Sequence, residues 1–164
     1  MPAVSNTSPI FNLARIQRLD LLREQFGTVW IPEAVNAELR SVPDRDTGRA
    51  IEDAREAGWL ENRPASNATL ITLLTAELHR GEAEAIALAL ELNVERVLID
   101  ERDGRILARD LGLPVTGVLG ILLRAKKTGR IQAIKPEIDA LRAKAGFFIT
   151  DSLEAGILAE AGET

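Results

Sequence analysis

The segment Arg96-Val97-Leu98-Ile99-Asp100 constrains the fold most strongly. Its three aliphatic residues follow one another without a polar interruption, which is typical of a parallel strand covered on both faces. A half-buried strand would alternate apolar and polar side chains instead. We therefore expect a buried strand at 96–100, in a sheet that has helices on both of its faces.

Helical patterns separate this strand from other short apolar segments. The residues Ile10, Leu13, Ile16 and Leu19 recur at three-residue steps and predict a helix with one buried face. Further strands are predicted at 3–6, 28–31, 59–60 and 113–115, and further helices at 32–39, 46–57, 67–78, 81–93, 101–111, 117–127, 136–144 and 151–160. Because strands alternate with helices, we expect an α/β fold with a mainly parallel sheet, in one domain over 1–164.

The composition limits the chemistry that the chain can perform. It has no Cys, which excludes a disulfide, a thiolate nucleophile and a cysteine-ligated zinc site. His79 is the only histidine and there is no Tyr, so neither a catalytic triad nor a multi-histidine metal centre is expected. Carboxylates remain, and carboxylate and carbonyl oxygens suit hard cations such as Mg²⁺ or Mn²⁺.

The sequence carries no pattern for a membrane segment or a secretory leader. No apolar run reaches about 18 residues, and MPAVSNTSP lacks a basic stretch followed by an apolar one. We therefore expect a cytoplasmic protein that does not contact a membrane.

The charge of the chain is unevenly distributed. The net charge is −5, yet the stretch from Arg124 to Lys144 holds seven basic residues against two acidic ones. Such a stretch is compatible with a surface that binds a polyanion, and equally with helix faces that are simply solvated.

Asp100 ends the central strand and is followed by Glu101 and Asp103. One interpretation is that Asp100 caps the helix at 101–111, whose dipole favours acids in its first turn. The other is that a strand-end carboxylate binds a cation. Ligands of parallel sheets gather beyond the carboxyl ends of the strands, and Asn6 of the segment VSNTSPI would lie at that same edge.

Acidic residues on two predicted helices are further candidates for a site. Glu82 and Glu84 begin a helix rich in Ala and Leu, where the helix dipole alone would also explain them. We favour Glu82 as the ligand because Glu84 can pair with Arg80. Glu33 and Glu38 lie about 140° apart around a helix axis, so they cannot both face one site, and we favour Glu38.

These residues together resemble the PIN-domain nucleases. The resemblance rests on the order and spacing of VSNTSPI at 4–10, Glu38, GEAEAIALA at 81–89, VLIDERDGR at 97–105, LGLPVTG at 111–117 and LGILLRAKKTG at 119–129. It is closest to the branch similar to toxin–antitoxin ribonucleases of the VapC kind, and it spans nearly the whole chain.

The resemblance implies a three-layer α/β/α sandwich and acids that bind Mg²⁺ or Mn²⁺ for cleavage of RNA by a metal-activated water. Carried over by position, it implies catalytic roles for Asn6, Glu38, Glu82 and Asp100, with metal contacts from Asn6, Glu82, Asp100 and either Glu101 or Asp103. Thr7 and Ser8 match the small hydroxyl residues that follow the first acid. Lys126, Lys127 and Arg130 are candidate contacts to the RNA backbone.

The chain departs from the family pattern at Asn6, where the family has an aspartate. An amide oxygen can coordinate Mg²⁺, but it carries no charge and cannot act as a base. Two alternatives to an active nuclease therefore stay open. One is a domain that binds RNA without cutting it, and the other is a protein–protein module that binds an antitoxin or its own copy as a homodimer.

Overall fold

The computed structural model describes residues 1–163, which form five strands and ten helices. The strands β1 to β5 are Ala3–Ser5, Val29–Ile31, Leu60–Asn62, Arg96–Leu98 and Val115–Thr116. The helices α1 to α10 are Thr7–Arg15, Asp20–Phe26, Glu33–Arg40, Arg45–Glu56, Ala68–Leu74, Arg80–Leu92, Arg102–Asp110, Val118–Lys127, Lys135–Ala145 and Asp151–Glu160. None of these helices has the length and apolar character that crossing a bilayer requires.

The five strands form one sheet in the order β3-β2-β1-β4-β5, and every pair is parallel. The predicted α/β fold with a parallel sheet is therefore confirmed. The first strand of the chain lies in the middle of the sheet, beside β4. Both short segments that the sequence marks only weakly, β3 and β5, lie at the edges.

Alternate side chains of the central strands enter two different cores. Ala3 and Leu98 pack into the larger core, which helices α1, α2, α4, α8 and α9 cover. Val4, Val97 and Ile99 point the other way, into a smaller core under α5, α6 and α7. Burial on both faces explains why the segment at 96–100 is apolar without alternation, and it produces the three-layer α/β/α arrangement.

The predicted helix through Ile10 and Leu19 is wrong in one respect, because it is broken. The helix α1 ends at Arg15, Gln17 has a φ of 61°, and α2 begins at Asp20. Leu19 follows Ile10 by nine residues, which is about two and a half turns of an α-helix. On a continuous helix Leu19 would therefore point away from the core that buries Ile10. The break lets Ile10 and Leu19 be buried together. The predicted helix at 67–78 similarly ends early, at Leu74.

Ion pairs hold the C-terminal helix α10 against α9 and α8. The carboxylate of Glu154 contacts Lys135 Nζ at 2.8 Å and Arg142 Nη1 at 2.6 Å. Glu163 accepts a hydrogen bond from the backbone N–H of Ile134 at 2.7 Å and pairs with Lys126 at 2.9 Å. These bonds lower the pKa of both carboxyls, chiefly through the side chain of Lys135 for Glu154 and the backbone of Ile134 for Glu163.

Acid should therefore weaken the docking of α10. A carboxyl whose pKa is lowered by folding stabilises the protein above its unfolded pKa, about 4.3 for Glu, and loses that contribution as the pH falls through the folded value. We expect the free energy of unfolding in urea to fall between pH 6 and pH 3, and to fall less steeply in Glu154→Gln.

The control is Glu56→Gln, an exposed position on α4 that should retain the wild-type profile. Equal profiles for Glu154→Gln and wild type would contradict the assignment.

Candidate active site

A pocket of about 410 Å³ lies beyond the carboxyl ends of β1 and β4. Six of its lining residues are among the predicted site residues, namely Asn6, Thr7, Ser8, Glu38, Glu82 and Glu101. His79 and Arg80 also line it. We call this cavity the acidic pocket.

Asn6 is placed in the acidic pocket by the sheet and not by a helix cap. Its backbone N–H donates to the carbonyl of Leu98 at 2.9 Å, which continues the pairing of β1 with β4. Although Asn6 stands before the first residue of α1, its side chain makes no capping hydrogen bond. Its Nδ2 instead donates to Oε2 of Glu101 at 3.0 Å. The hydroxyl of Ser8 donates to the other oxygen of Glu101, so two donors hold that carboxylate.

Glu82 is the most deeply buried acid of the pocket. It lies in the first turn of α6, is 4% exposed, and accepts a bond from the backbone N–H of His79 at 3.3 Å through Oε1. Its Oε2 is buried and has no partner among residues 1–163. Burial, followed by the charge of Glu101, raises the pKa of Glu82. A cation would satisfy the orphaned oxygen and offset that repulsion.

Two glycines leave room for these carboxylates. A Cβ atom on Gly81 would lie 2.8 Å from Oε1 of Glu38 and 3.2 Å from Oδ1 of Asn6. A Cβ on Gly104 would lie 2.7 Å from Oε2 of Glu82. The oxygens of Glu38 and Asn6 therefore converge over the backbone of α6, and Glu82 leans against the backbone of α7.

The neighbouring acids Glu84 and Glu33 have other partners. Glu84 pairs with Arg80 at 2.6 Å, as predicted, and also accepts the N–H of Ala34 at the start of α3 at 3.0 Å. Glu33 is exposed and accepts a bond from Asn62. Neither lines the acidic pocket.

Asp100 lies at the predicted strand end, but its side chain is not among those that line the acidic pocket. Its carboxylate accepts bonds from Asn12 Nδ2 at 3.1 Å and from the N–H of Val118 at 2.7 Å, so it caps α8 and not α7. Burial raises the pKa of Asp100 to about 6. Successive side chains of an extended chain point to opposite sides, which explains why Glu101 enters the pocket when Asp100 turns away.

A family model described as a PIN domain matches residues 2–163. The chain belongs to the PIN-domain family. The match covers every strand and helix described above, and the family supports a nuclease-type fold. None of the curated proteins matches the chain.

The remaining predicted residues of this PIN domain lie outside the pocket. Asp103 is exposed on α7, where its charge adds to those that raise the pKa of Glu82. Lys126, Lys127 and Arg130 pair with Glu163, Glu160 and Glu24, respectively. Lys126 and Lys127 lie in the last turn of α8 and Arg130 follows it, whereas the N-terminal end of that helix is the one bound to Asp100. The structure does not bring these three basic residues to the acidic pocket.

The donor chemistry of the pocket fits Mg²⁺ or Mn²⁺, in an open site. Within residues 1–163, no three His, Asp or Glu side chains are grouped closely enough to hold an ion by themselves. Mg²⁺ is usually bound by one or two carboxylates together with water and substrate phosphates. Glu82 and Glu101 provide two carboxylates, and the buried Oε2 of Glu82 and Oγ1 of Thr7 have no partner among the described residues.

Replacing Asn6 by Asp should make the thermal stability of the PIN domain depend on a divalent ion. The Asn6→Asp variant puts a carboxylate 3.0 Å from Oε2 of Glu101 in place of a donor, and losing a buried bond to a charged acceptor costs about 1–3 kcal/mol. We expect a lower Tm without metal, and a larger rise in Tm with Mn²⁺ than the wild type gives.

The matched control is Asn12→Asp, which makes the same change beside Asp100 instead of Glu101. It should lower the Tm without any recovery in Mn²⁺. If Mn²⁺ raises the Tm of both variants equally, Asn6 does not belong to a cation site.

Proposed function

We propose that this PIN domain is a ribonuclease that hydrolyses RNA phosphodiester bonds with Mg²⁺ or Mn²⁺. The observation that carries the proposal is the acidic pocket, where Glu38, Glu82, Glu101 and the amide of Asn6 meet at the carboxyl edge of a parallel sheet. This is the edge at which α/β proteins bind ligands.

Each side chain has a role in this proposal. Glu82 and Glu101 would hold the ion, which when bound supplies an activated water and neutralises charge on the phosphoryl oxygens. Asn6 and Ser8 fix the orientation of Glu101 through their hydrogen bonds. Glu38 is exposed at the pocket, so its carboxylate can orient the attacking water and accept its proton. Asp100 acts indirectly, by tying α8 to the end of β4.

The biological setting is part of the same proposal. The order of the motifs VSNTSPI, GEAEAIALA and VLIDERDGR supports the toxin of a toxin–antitoxin pair, in the cytoplasm, with a protein antitoxin as partner. We also propose that residues 1–164 act as a single domain and associate as a homodimer.

A second candidate function is a PIN domain that binds RNA without cutting it. The bond from Asn6 to Glu101 favours this candidate, because it satisfies one pocket acid without any ion. An aspartate at position 6 could not donate that bond.

The test is cleavage of a structured RNA by purified protein with Mg²⁺, Mn²⁺ or EDTA. We expect metal-dependent cleavage that falls by about 100-fold or more in Glu82→Gln and Glu101→Gln, because each change removes a charge that stabilises the ion and the transition state. Glu84→Gln is the matched control on the same helix, and it should cleave like the wild type.

Asp100→Asn distinguishes the two strand-end acids. Since Asp100 contacts Asn12 and Val118, this variant should lose stability but retain cleavage per folded molecule. Metal-dependent cleavage that persists in both Glu82→Gln and Glu101→Gln would overturn the proposed site. RNA binding in EDTA with no cleavage in Mn²⁺ would favour the second candidate.

A further inference from the structure

Three arginines form a row along one side of α7. Arg102, Arg105 and Arg109 fall within about 60° of arc on the helix, since each residue advances by about 100°. Arg102 and Arg109 are exposed, and Arg105 is half-buried. All three line a second cavity, of about 490 Å³, between α7 and the start of α8. We call these residues the arginine row.

The arginine row has no ion-pair partner among residues 1–163, since no described carboxylate oxygen lies within 4.0 Å of its nitrogens. Asp100 lines the same cavity and its charge acts on Arg105, but its oxygens lie beyond 4.0 Å from that guanidinium group and accept hydrogen bonds from Asn12 and Val118. The basic stretch at 124–144 differs, because all of its basic residues except Lys144 are paired with described glutamates or aspartates, namely Arg124, Lys126, Lys127, Arg130, Lys135 and Arg142.

The start of the arginine row adjoins the acidic pocket along the chain, although the row and Asp100 face the second cavity, which shares no lining residue with the pocket. Arg102 directly follows Glu101, whose carboxylate lines that pocket. From Arg102 the row extends about 10 Å along the axis of α7 to Arg109. An RNA strand bound along the row would therefore have to cross the first turn of α7 to enter the pocket.

We propose that the arginine row binds the phosphate backbone of the RNA strand whose bond is cut in the acidic pocket, an inference that rests on the proposed function. The planar guanidinium groups match phosphate oxygens in a two-bond geometry that lysine cannot reproduce. The substrate contacts thus come from α7, beside the pocket, and not from Lys126, Lys127 and Arg130.

The cavity also has an aliphatic part, which an acidic amphipathic peptide would fit. Ile106 and Leu153 line it and are 44% and 50% exposed. The charge of the row favours RNA, because phosphates complement three arginines that have no described carboxylate within 4.0 Å, and because Arg102 is the residue next to Glu101 of the acidic pocket.

The experiment measures binding of a fluorescein-labelled single-stranded RNA of mixed sequence, in EDTA so that no cleavage occurs. The variant Arg102→Gln/Arg109→Gln removes the two exposed members and leaves the half-buried Arg105 in place. We expect its Kd to rise roughly tenfold, and the slope of log K against log salt to become shallower by about 1.4, since each phosphate contact to a single strand contributes about 0.7.

Two further variants separate charge from geometry and from position. Arg102→Lys/Arg109→Lys retains the charge and should recover only part of the affinity. Lys127→Gln/Arg130→Gln removes the same charge from exposed positions and should bind like the wild type. Circular dichroism and Tm verify that each variant is folded.

The outcomes keep the two proposals distinct. If Arg102→Gln/Arg109→Gln binds RNA like the wild type, or if Lys127→Gln/Arg130→Gln loses as much affinity, the arginine row is not the RNA surface, whatever the cleavage assay gives. If the row is needed for binding but the wild type cuts nothing in Mn²⁺, the row stands and the nuclease proposal fails. If the wild type binds no RNA but binds a labelled Glu/Leu peptide through the row, the inference is overturned in favour of a protein partner.

Discussion

The backbone N–H of Asn6 donates to the carbonyl of Leu98, and this bond ties the end of β1 to the end of β4. The two strands are far apart in sequence and neighbours at the centre of the sheet. Because their register is fixed, the first residue after β1 and the acids after β4 emerge at the same edge. The contacts of Asn6 and Ser8 with Glu101 depend on this alignment, since a shift of one residue would move each strand-end side chain to the opposite face.

The pocket tolerates several acids because hydrogen-bond donors surround them. Glu101 receives bonds from Asn6 and Ser8, and Glu82 receives one from the backbone of His79. A buried carboxylate is costly unless such donors or a counter-charge balance it. The balance is incomplete at Glu82, whose second oxygen has no partner within residues 1–163. This oxygen is the feature of the pocket that best supports the proposed cation.

Much of the fold could be predicted from the sequence because strong local patterns encode it. The run at 96–100 predicts a doubly covered strand, and the Ala-rich segment at 81–93 predicts a buried helix, as found at Arg80–Leu92. The break after Arg15 was not predicted, although the three-residue step implies it, since each step drifts by about 60° around a helix and Ile10 and Leu19 therefore cannot share one face. The order of the strands is a long-range property that no local pattern contains.

The sequence predicts which strands and helices carry the candidate site, but not the direction in which each side chain points. Asn6, Glu38 and Glu82 line the pocket as expected, although their chemical roles stay predictions. The choice between Asp100 and Glu101 depends on how the chain leaves β4, which consecutive acids in a sequence do not reveal. His79 and Arg80 line the pocket because of the turn before α6, and a lone histidine next to an arginine gives little signal of this.

The backbones of Gly81 and Gly104 lie against side chains of the pocket, and this has a consequence for how the protein can change. At both positions the space beside the α-carbon is already taken by carboxylate oxygens. Any other residue there adds atoms against those oxygens, so a single substitution at either place displaces pocket side chains and gains no space. A descendant of this chain that accommodates a bulkier substrate must therefore obtain the space elsewhere, from the side chains at the mouth or from a displacement of whole helices.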